Sequence, residues 1–423
     1  MRKVAITGIG VVSPCGIGKE VFWKNSITGR SFTERYTDFP DYSLKSRVVG
    51  KIKEFKPEYT GYSKEDNKRL GLHTQYALCA TKEAIADSKL VLSELEKEHA
   101  GVCIANAIAD TPFSEKQFLE LNGSLIKSVK NNEEDVKPDP NLFYKAMFNC
   151  ISTEIASAYG LLGSAFTMST GCTGGIDAVG YGWETIREGS ADVMICGASE
   201  APLTCMTVAS FDVIGAISSR KCPPDQASRP FDEKRDGFVL AEGSGILILE
   251  ELEHAKRRGA KIYAEVVSFG TKNNAWHMTN LPDDGDPLAK TLELLFSEGD
   301  VQKKDVSYIN AHGSSTPQND VFETEAYKRV FGERVYSIPV SSSKTIWGHP
   351  LAAASAIELV HCCCAMENNI APPTVNLQKP DMSCDLDYVP LKPRSVPMNV
   401  IVRTASGFSG IHSALILRRV NEA

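Results

Sequence analysis

The sequence predicts an α/β layered fold with parallel strands. Apolar, strand-like runs alternate with segments of helical spacing along all 423 residues. No low-complexity linker separates the halves, and the second half repeats a recognisable order of helices and strands. That length holds either two domains or one large duplicated unit with a sizeable core. Hydrophobic residues at 42% and charged residues at 23% are ordinary for a globular chain.

Taken in order, residues 4–9 read as a buried strand, 10–18 as a turn-rich loop and 20–28 as a helix. Residues 73–87 have helical spacing, with Ala77, Ala80, Ala84 and Ile85 forming a small-residue face. A second buried strand is expected at 100–107, a solvated loop at 131–140 and a helix at 143–159. Residues 191–198 are strand-like. Arg229-Pro230-Phe231-Asp232 opens a polar turn carrying Arg235, Asp236 and Gly237. Strand 245–250, the charged helix 251–258 and strand 264–270 follow. The remaining order is helix 286–298, strand 306–311, helix 320–330 and a further helix opening near 349.

Composition narrows the function. A net charge of −7 without a basic tract argues against nucleic acid as a partner. The twelve cysteines include no CxxC pair, which points to reduced thiols in a cytoplasm rather than disulfides or a metal site. Cys362-Cys363-Cys364 lie in an apolar helical run, where packing accounts for them. No stretch is long and apolar enough to span a bilayer, so no membrane is expected either. The basic start and apolar run of residues 1–12 resemble a signal peptide. Gly8 and Gly10 interrupt the run and no clear cleavage site follows, so a first strand is expected instead.

The stretch FTMSTGCTGGIDA at 166–178 ends in a turn of small residues, with a helix expected to open at Cys172. Gly171, Gly174 and Gly175 permit unusual backbone angles and close approach. A cysteine at a helix start meets unpaired N–H groups and the positive end of the dipole, and both favour the thiolate. The usual free cysteine is buried and inert, so two histidine motifs decide the matter. In YINAHGSSTP at 308–317 a strand ends at His312, and strand ends are where α/β sites gather. In SKTIWGHP at 343–350, Pro350 suits a first helical turn, which places His349 at a helix N-terminus. The dipole there disfavours imidazolium, so a neutral, hydrogen-bonding histidine is expected. Either histidine alone reads as structural; one cysteine and two histidines in such turns read as a site.

At this point the chain resembles the β-ketoacyl-[acyl carrier protein] synthases of the thiolase superfamily, over nearly its full length. TGCTGG at 170–175, RPFDEKRDGFVLAEGSGILILE at 229–250, NAHGSSTPQND at 310–320, KTIWGHPLAAASAIE at 344–358 and GFSG at 407–410 carry the resemblance. STGCTGGIDAVG and NDVFETEAYK look most like the catalytic ketosynthase subunit of type II polyketide synthases. The resemblance implies a thiolase-like five-layered αβαβα fold from two duplicated halves, 1–255 carrying the nucleophile and 256–423 carrying both histidines. It implies decarboxylative Claisen condensation, with no cofactor bound permanently and a phosphopantetheine arm supplied by acyl carrier protein. Cys172 matches the acyl-accepting nucleophile, and His312 and His349 the pair that serves decarboxylation of the malonyl thioester and the enolate. Lys344 matches the family lysine near the site and Glu323 an acidic residue holding that network; a helix-cap ion pair is the plainer account of both. Backbone N–H groups of Cys172 and Phe408 match the oxyanion hole, with Phe408 also the gate. Thr279, Ser314 and Thr316 fall where relatives bind the phosphopantetheine arm.

Several positions depart from the family pattern. Ser409 replaces a glycine beside Phe408, and His412 stands where relatives have asparagine or glutamine. Pro350, Ala353 and Ser355 change the residues after His349, and Gly215 replaces a carrier-docking arginine. Lys68, Arg69, Arg220 and Lys221 remain candidates for meeting an acidic carrier. The family's product length depends on a tunnel at the dimer interface, to which residues 107–113 would contribute. The leading reading pairs the chain with a chain-length-factor homologue as a heterodimer. The alternatives are a housekeeping fatty-acid synthase homodimer and the non-catalytic chain-length subunit, which typically lacks the nucleophile that Cys172 supplies.

Overall fold

The computed structural model describes residues 1–39, 44–131, 137–282 and 284–420, with side chains omitted at 124–131. The first half contributes β1 (Val4–Ser13), β2 (Ala100–Ala105), β3 (Ala165–Met168), β4 (Val193–Glu200) and β5 (Gly243–Glu251). The second contributes β6 (Ala264–Asn273), β7 (Tyr308–Asn310), β8 (Val340–Ser341), β9 (Val400–Gly407) and β10 (Ile411–Arg418). Spatially these run β1-β5-β4-β2-β3 and β6-β10-β9-β7-β8, so the same order occurs twice. Strand directions repeat as well. β1/β5 and β5/β4 are antiparallel while β4/β2 and β2/β3 are parallel. Likewise β6/β10 and β10/β9 are antiparallel while β9/β7 and β7/β8 are parallel. An antiparallel pairing of β1 with β6, Val4 opposite Val266, joins the two halves.

The expected duplication is therefore present, but the sheet is mixed and not parallel. Only the residues of the Phe408–Gly410 turn separate β9 from β10, and so short a connection makes an antiparallel hairpin. Strand direction is invisible in hydropathy when both faces are covered: Ile246, Leu247, Ile248 and Leu249 are all fully buried.

Six helices complete the layers: α1 (Leu72–Ser88), α2 (Cys150–Tyr159), α3 (Gly174–Arg187), α4 (Asp286–Glu298), α5 (Pro317–Phe331) and α6 (Ala352–Asn368). α1 and α2 cover the outer face of the first half, and α4 and α5 that of the second. α3 and α6 pack on each other between the halves, against β4 and β5 on one side and β9 and β10 on the other. The result is an αβαβα stack with the candidate nucleophile at the start of a central helix.

Three local expectations change. The loop placed at 10–18 is partly strand, because β1 runs on to Ser13. A Cβ at Gly8 or Gly10 would overlap the Ala84 or Ala80 carbonyl oxygen, so these glycines let α1 lie against the strand at backbone distance. The helix expected at 143–159 divides into Leu142–Ala146 and α2. The break turns α2 onto β3, where Ser152 Oγ donates to the Phe166 carbonyl at 2.7 Å. Of the expected loop at 131–140, residues 132–136 lie outside the described residues, and Asn131 closes the helix Thr111–Asn131. Among the described residues no helix is long and apolar enough to cross a membrane.

Candidate active site

The three motif side chains meet in one cavity of about 260 Å³, lined by Cys172, His312, His349 and Phe408 among others. Thr279, Ser314 and Thr316 line the same cavity. Lys344 and Glu323 do not; both are buried behind it.

Cys172 sits in a single turn of 3-10 helix, Gly171–Thr173, just ahead of α3. Gly171 has φ +63°, a left-handed angle that closes the turn. Gly175 serves packing: a Cβ there would lie 2.5 Å from Ala356 N and 2.7 Å from Ala356 Cβ. The two central helices thus cross at backbone contact. Ser355 Oγ accepts a hydrogen bond from Ile176 N–H at 3.0 Å and satisfies one free donor of the α3 N-terminus. Cys172 is half-buried, a property shared among the cysteines only with Cys222. Burial pushes its thiol up to about 11, with the buried Glu200 carboxyl adding to the rise; the Lys344 charge and the backbone N–H groups of Phe408 and Cys172 oppose it. Desolvation thus works against the thiolate that the helix start favours.

His312 ends the strand segment after β7. Glu323, on α5, fixes the turn that follows: its carboxylate accepts from His312 N at 2.7 Å and Gly313 N at 2.8 Å. The same carboxylate accepts from Tyr327 Oη and Thr404 Oγ1, each at 2.6 Å. The polar turn around 229–237 braces the start of α5, with Phe231 N donating to Asp320 at 2.8 Å.

His349 does not stand at a helix N-terminus. α6 opens at Ala352, after Leu351 with φ +44°. His349 lies in an extended segment instead, donating its N–H to the Val239 carbonyl at 2.7 Å and accepting from Ala241 N at 3.1 Å. It is nonetheless neutral, for a different reason: burial first, then the Lys344 and Arg403 charges, hold it well below the ordinary histidine range. Burial, Lys344 and His349 do the same for His312. The two rings approach edge to face at 5.4 Å between centroids. Both Nδ1 atoms are buried without a partner among the described residues.

Lys344 is paired, though not with Glu323. Its ammonium donates to the His312 carbonyl and to Glu358 on α6, each at 2.7 Å. Glu358 also pairs with Arg403 of β9, and all three side chains are buried. Reading motifs missed Glu358 and Arg403. A signal existed: each is a lone charge in an otherwise apolar run, AIELV and VIVRT, and such a charge needs a partner.

The rim is aromatic. Phe238 meets His349 at 5.0 Å, Phe211 meets Phe238 at 5.2 Å, and Phe408 lies 6.2 Å from Phe211. Ser409 adopts φ +72° where the resembled family has glycine, and its N–H donates to the Met278 carbonyl at 2.6 Å. Ser314 and Thr316 hydroxyls are 2.9 Å apart, and Thr279 N donates to His277 Nδ1 at 3.0 Å. His412 is bonded through Nδ1 to Ser406 Oγ at 2.9 Å. In the 107–113 segment, Ala107 and Ile108 donate to Glu200 at 2.9 and 3.1 Å. Of the candidate carrier-facing cations, Arg69 forks onto Glu154 at 2.7 and 2.8 Å and Lys68 reaches Glu65 at 2.8 Å. Arg220 bonds the Lys234 carbonyl, and Lys221 is exposed.

The family model for the β-ketoacyl synthase N-terminal domain matches residues 1–255, and that for the C-terminal domain residues 263–378. The ketoacyl synthase alpha subunit of the tetracenomycin polyketide synthase of Streptomyces glaucescens is 42% identical, covering 100% of this chain and 98% of that one. A type II polyketide synthase acyl-carrier protein in complex with its ketosynthase bound to the hexaketide (AntDE:AntF) superposes with TM-score 0.90 at 41% identity, covering 99% and 100% of the chains. The ishigamide ketosynthase/chain length factor gives TM-score 0.89 at 30% identity, covering 99% and 100%.

Proposed function

The chain belongs to the β-ketoacyl synthase family, and from that membership we propose that it is the catalytic ketosynthase subunit of a type II polyketide synthase. It joins malonyl units to an enzyme-bound acyl chain by decarboxylative Claisen condensation. One observation carries the assignment of roles: a half-buried thiol, two neutral imidazoles and two backbone N–H groups share one pocket.

With the thiol raised to about 11, little thiolate exists at rest, so the proton of Cys172 leaves to a neutral imidazole as sulfur attacks the acyl thioester. The carrier thiol departs with a proton, and the acyl group remains on Cys172. The N–H groups of Cys172 and Phe408 hold the tetrahedral oxyanion. A malonyl thioester then enters on the carrier's phosphopantetheine arm, which Thr279, Ser314 and Thr316 hydrogen-bond. Its carboxylate carbon bond breaks, CO2 leaves, and the electron pair forms an enolate whose oxygen receives hydrogen bonds from His312 and His349. The enolate carbon attacks the acyl carbonyl, the C–S bond breaks, and the departing Cys172 thiolate takes a proton from water. Lys344 and Glu323 act from behind, each on the backbone that presents His312. Phe408 gates the acyl side.

The halves divide this labour at residues 1–255 and 256–423. The partners are an acyl carrier protein and a chain-length-factor homologue; the likeness to a ketosynthase–carrier complex and to a ketosynthase/chain length factor supports both. Exposed Phe118, Leu119, Phe143 and Phe148 supply apolar surface suited to a homologous subunit. A cytoplasmic setting belongs to the same reading and rests on the cysteine usage.

The test is reconstitution. The chain, co-purified with its chain-length homologue, is given acyl- and malonyl-carrier protein while CO2 release and β-ketoacyl products are followed. Poly-β-ketone products support the reading. Elongation of saturated acyl chains by the chain alone would replace it with the fatty-acid alternative.

A further inference from the structure

Behind the two histidines lies a buried cluster with more positive than negative partners around one carboxylate. Glu358 on α6 receives Lys344 at 2.7 Å through one oxygen and Arg403 through the other. Arg403 is fully buried in the middle of β9. Its guanidinium also donates to the Asn310 carbonyl at 3.3 Å, two residues before His312, and β7 runs beside β9 with Asn310 opposite Arg403. One side chain therefore ties the strand that ends at His312 to the helix that follows His349. The Nε of Arg403 has no partner among the described residues, so the group is held by charge more than by a full set of hydrogen bonds.

We propose that Arg403 is a positioning residue for the condensation site: it shares Glu358 with Lys344, fixes the backbone leading to His312, and adds a permanent positive charge behind both histidines. The proposal rests on the ketosynthase reading above. Arginine suits the place because it stays charged at any working pH and forks between a carboxylate and a carbonyl. A carboxylate serving Lys344 alone would neutralise it; a second, permanent cation leaves a positive field that disfavours imidazolium nearby.

The groups facing this centre are few. Around His312 stand Lys344, His349, Arg403 and His412, with Glu323 on its backbone and also acting on Lys344; around His349 stand His312, Lys344 and Arg403, and Cys172 lines the same cavity as both rings. Arg403 itself faces Glu358, Lys344, Tyr308, Tyr327 and Cys362. Tyr327 and Cys362 are raised, so neither supplies a compensating negative charge near neutrality. Removing Arg403 takes one positive charge from beside both histidines. Their protonation then moves toward the ordinary range, imidazolium forms at higher pH, and the acid limb of the activity rises.

The experiment measures CO2 release from malonyl-pantetheine thioester from pH 8 down through the wild type's acid limb for the wild type, Arg403→Gln and Arg403→Lys. The acid limb of Arg403→Gln is expected to move up by about one pH unit, the scale of one nearby charge. On that limb its rate relative to pH 7.5 then falls by up to about tenfold. Arg403→Lys, which keeps the charge, is expected to retain the wild-type profile at a reduced rate. An Arg403→Gln protein with a lower rate but an unmoved acid limb overturns the proposal. Should that variant not fold, Glu358→Gln is compared with the double variant Arg403→Gln/Glu358→Gln. The acid limb of the double variant must lie above that of Glu358→Gln alone, and coincidence overturns the proposal. A wild type that releases no CO2 would refute the ketosynthase reading instead.

Discussion

Cys172 shows how a residue's chemistry depends on what surrounds it. Its turn places two N–H groups on the sulfur, yet burial dominates and the thiol rises to about 11. Alkylation by iodoacetamide in the free enzyme should therefore speed up about tenfold per pH unit from pH 7 toward 10, since thiolate is the reactive form. Peptide mapping should place the adduct on Cys172. An adduct mainly on Cys222, the other half-buried cysteine, or a rate already flat at pH 7, would contradict this. Either imidazole can take the Cys172 proton in acylation, whereas the enolate needs both. His312→Ala or His349→Ala should cut condensation by about 100-fold or more, the usual loss of a donor to developing charge. Transfer of an acyl group to Cys172 should survive at least in part. Intact-mass measurement of acyl-enzyme beside a condensation assay separates the two steps, and normal condensation by the His349→Ala protein would make that ring structural.

At the scale of elements, the site depends on how closely α3 and α6 cross. Gly175 has Ala356 N at 2.5 Å from where a Cβ would sit. Gly175→Ala must push the helices apart, and we expect a loss of about 1–3 kcal/mol, read as a lower melting temperature. The nucleophile turn moves with α3, so acylation should slow as well. Ser355→Ala strands the Ile176 N–H at the start of α3, an expected loss of about 1–3 kcal/mol for a buried unpaired donor. Wild-type melting of either variant would show that the crossing tolerates more than its distances imply. The β9–β10 hairpin matters in the same way, since its turn carries Phe408 and its strand carries Arg403.

For the whole molecule, the repeated strand order and the exposed aromatic surface bear on assembly. In the proposed heterodimer, this chain would keep the chemistry and a diverged copy would set the depth of the cavity. Co-expression with a chain-length homologue should give a stable heterodimer on size-exclusion chromatography and activity with malonyl-carrier protein. Expressed alone, the chain should be poorly soluble or inactive, because an apolar obligate interface would be left uncovered. A well-behaved homodimer that elongates saturated chains would overturn this expectation.

The residue types at Cys172, His312 and His349, the alternation of elements and the duplicated order were all legible in the sequence. They are local: a glycine turn, a strand end and a period of apolar residues are written in neighbouring positions. Three features were decided only by tertiary structure. Strand direction was, because fully buried strands look alike whichever way they run. The surroundings of Cys172 and His349 were, because desolvation is a property of the finished core and the helix expected to open at His349 opens only at Ala352. The partnership of Lys344 with Glu358 and Arg403 was, because those residues lie 14 and 59 positions away in sequence, and only packing brings such charges to one carboxylate.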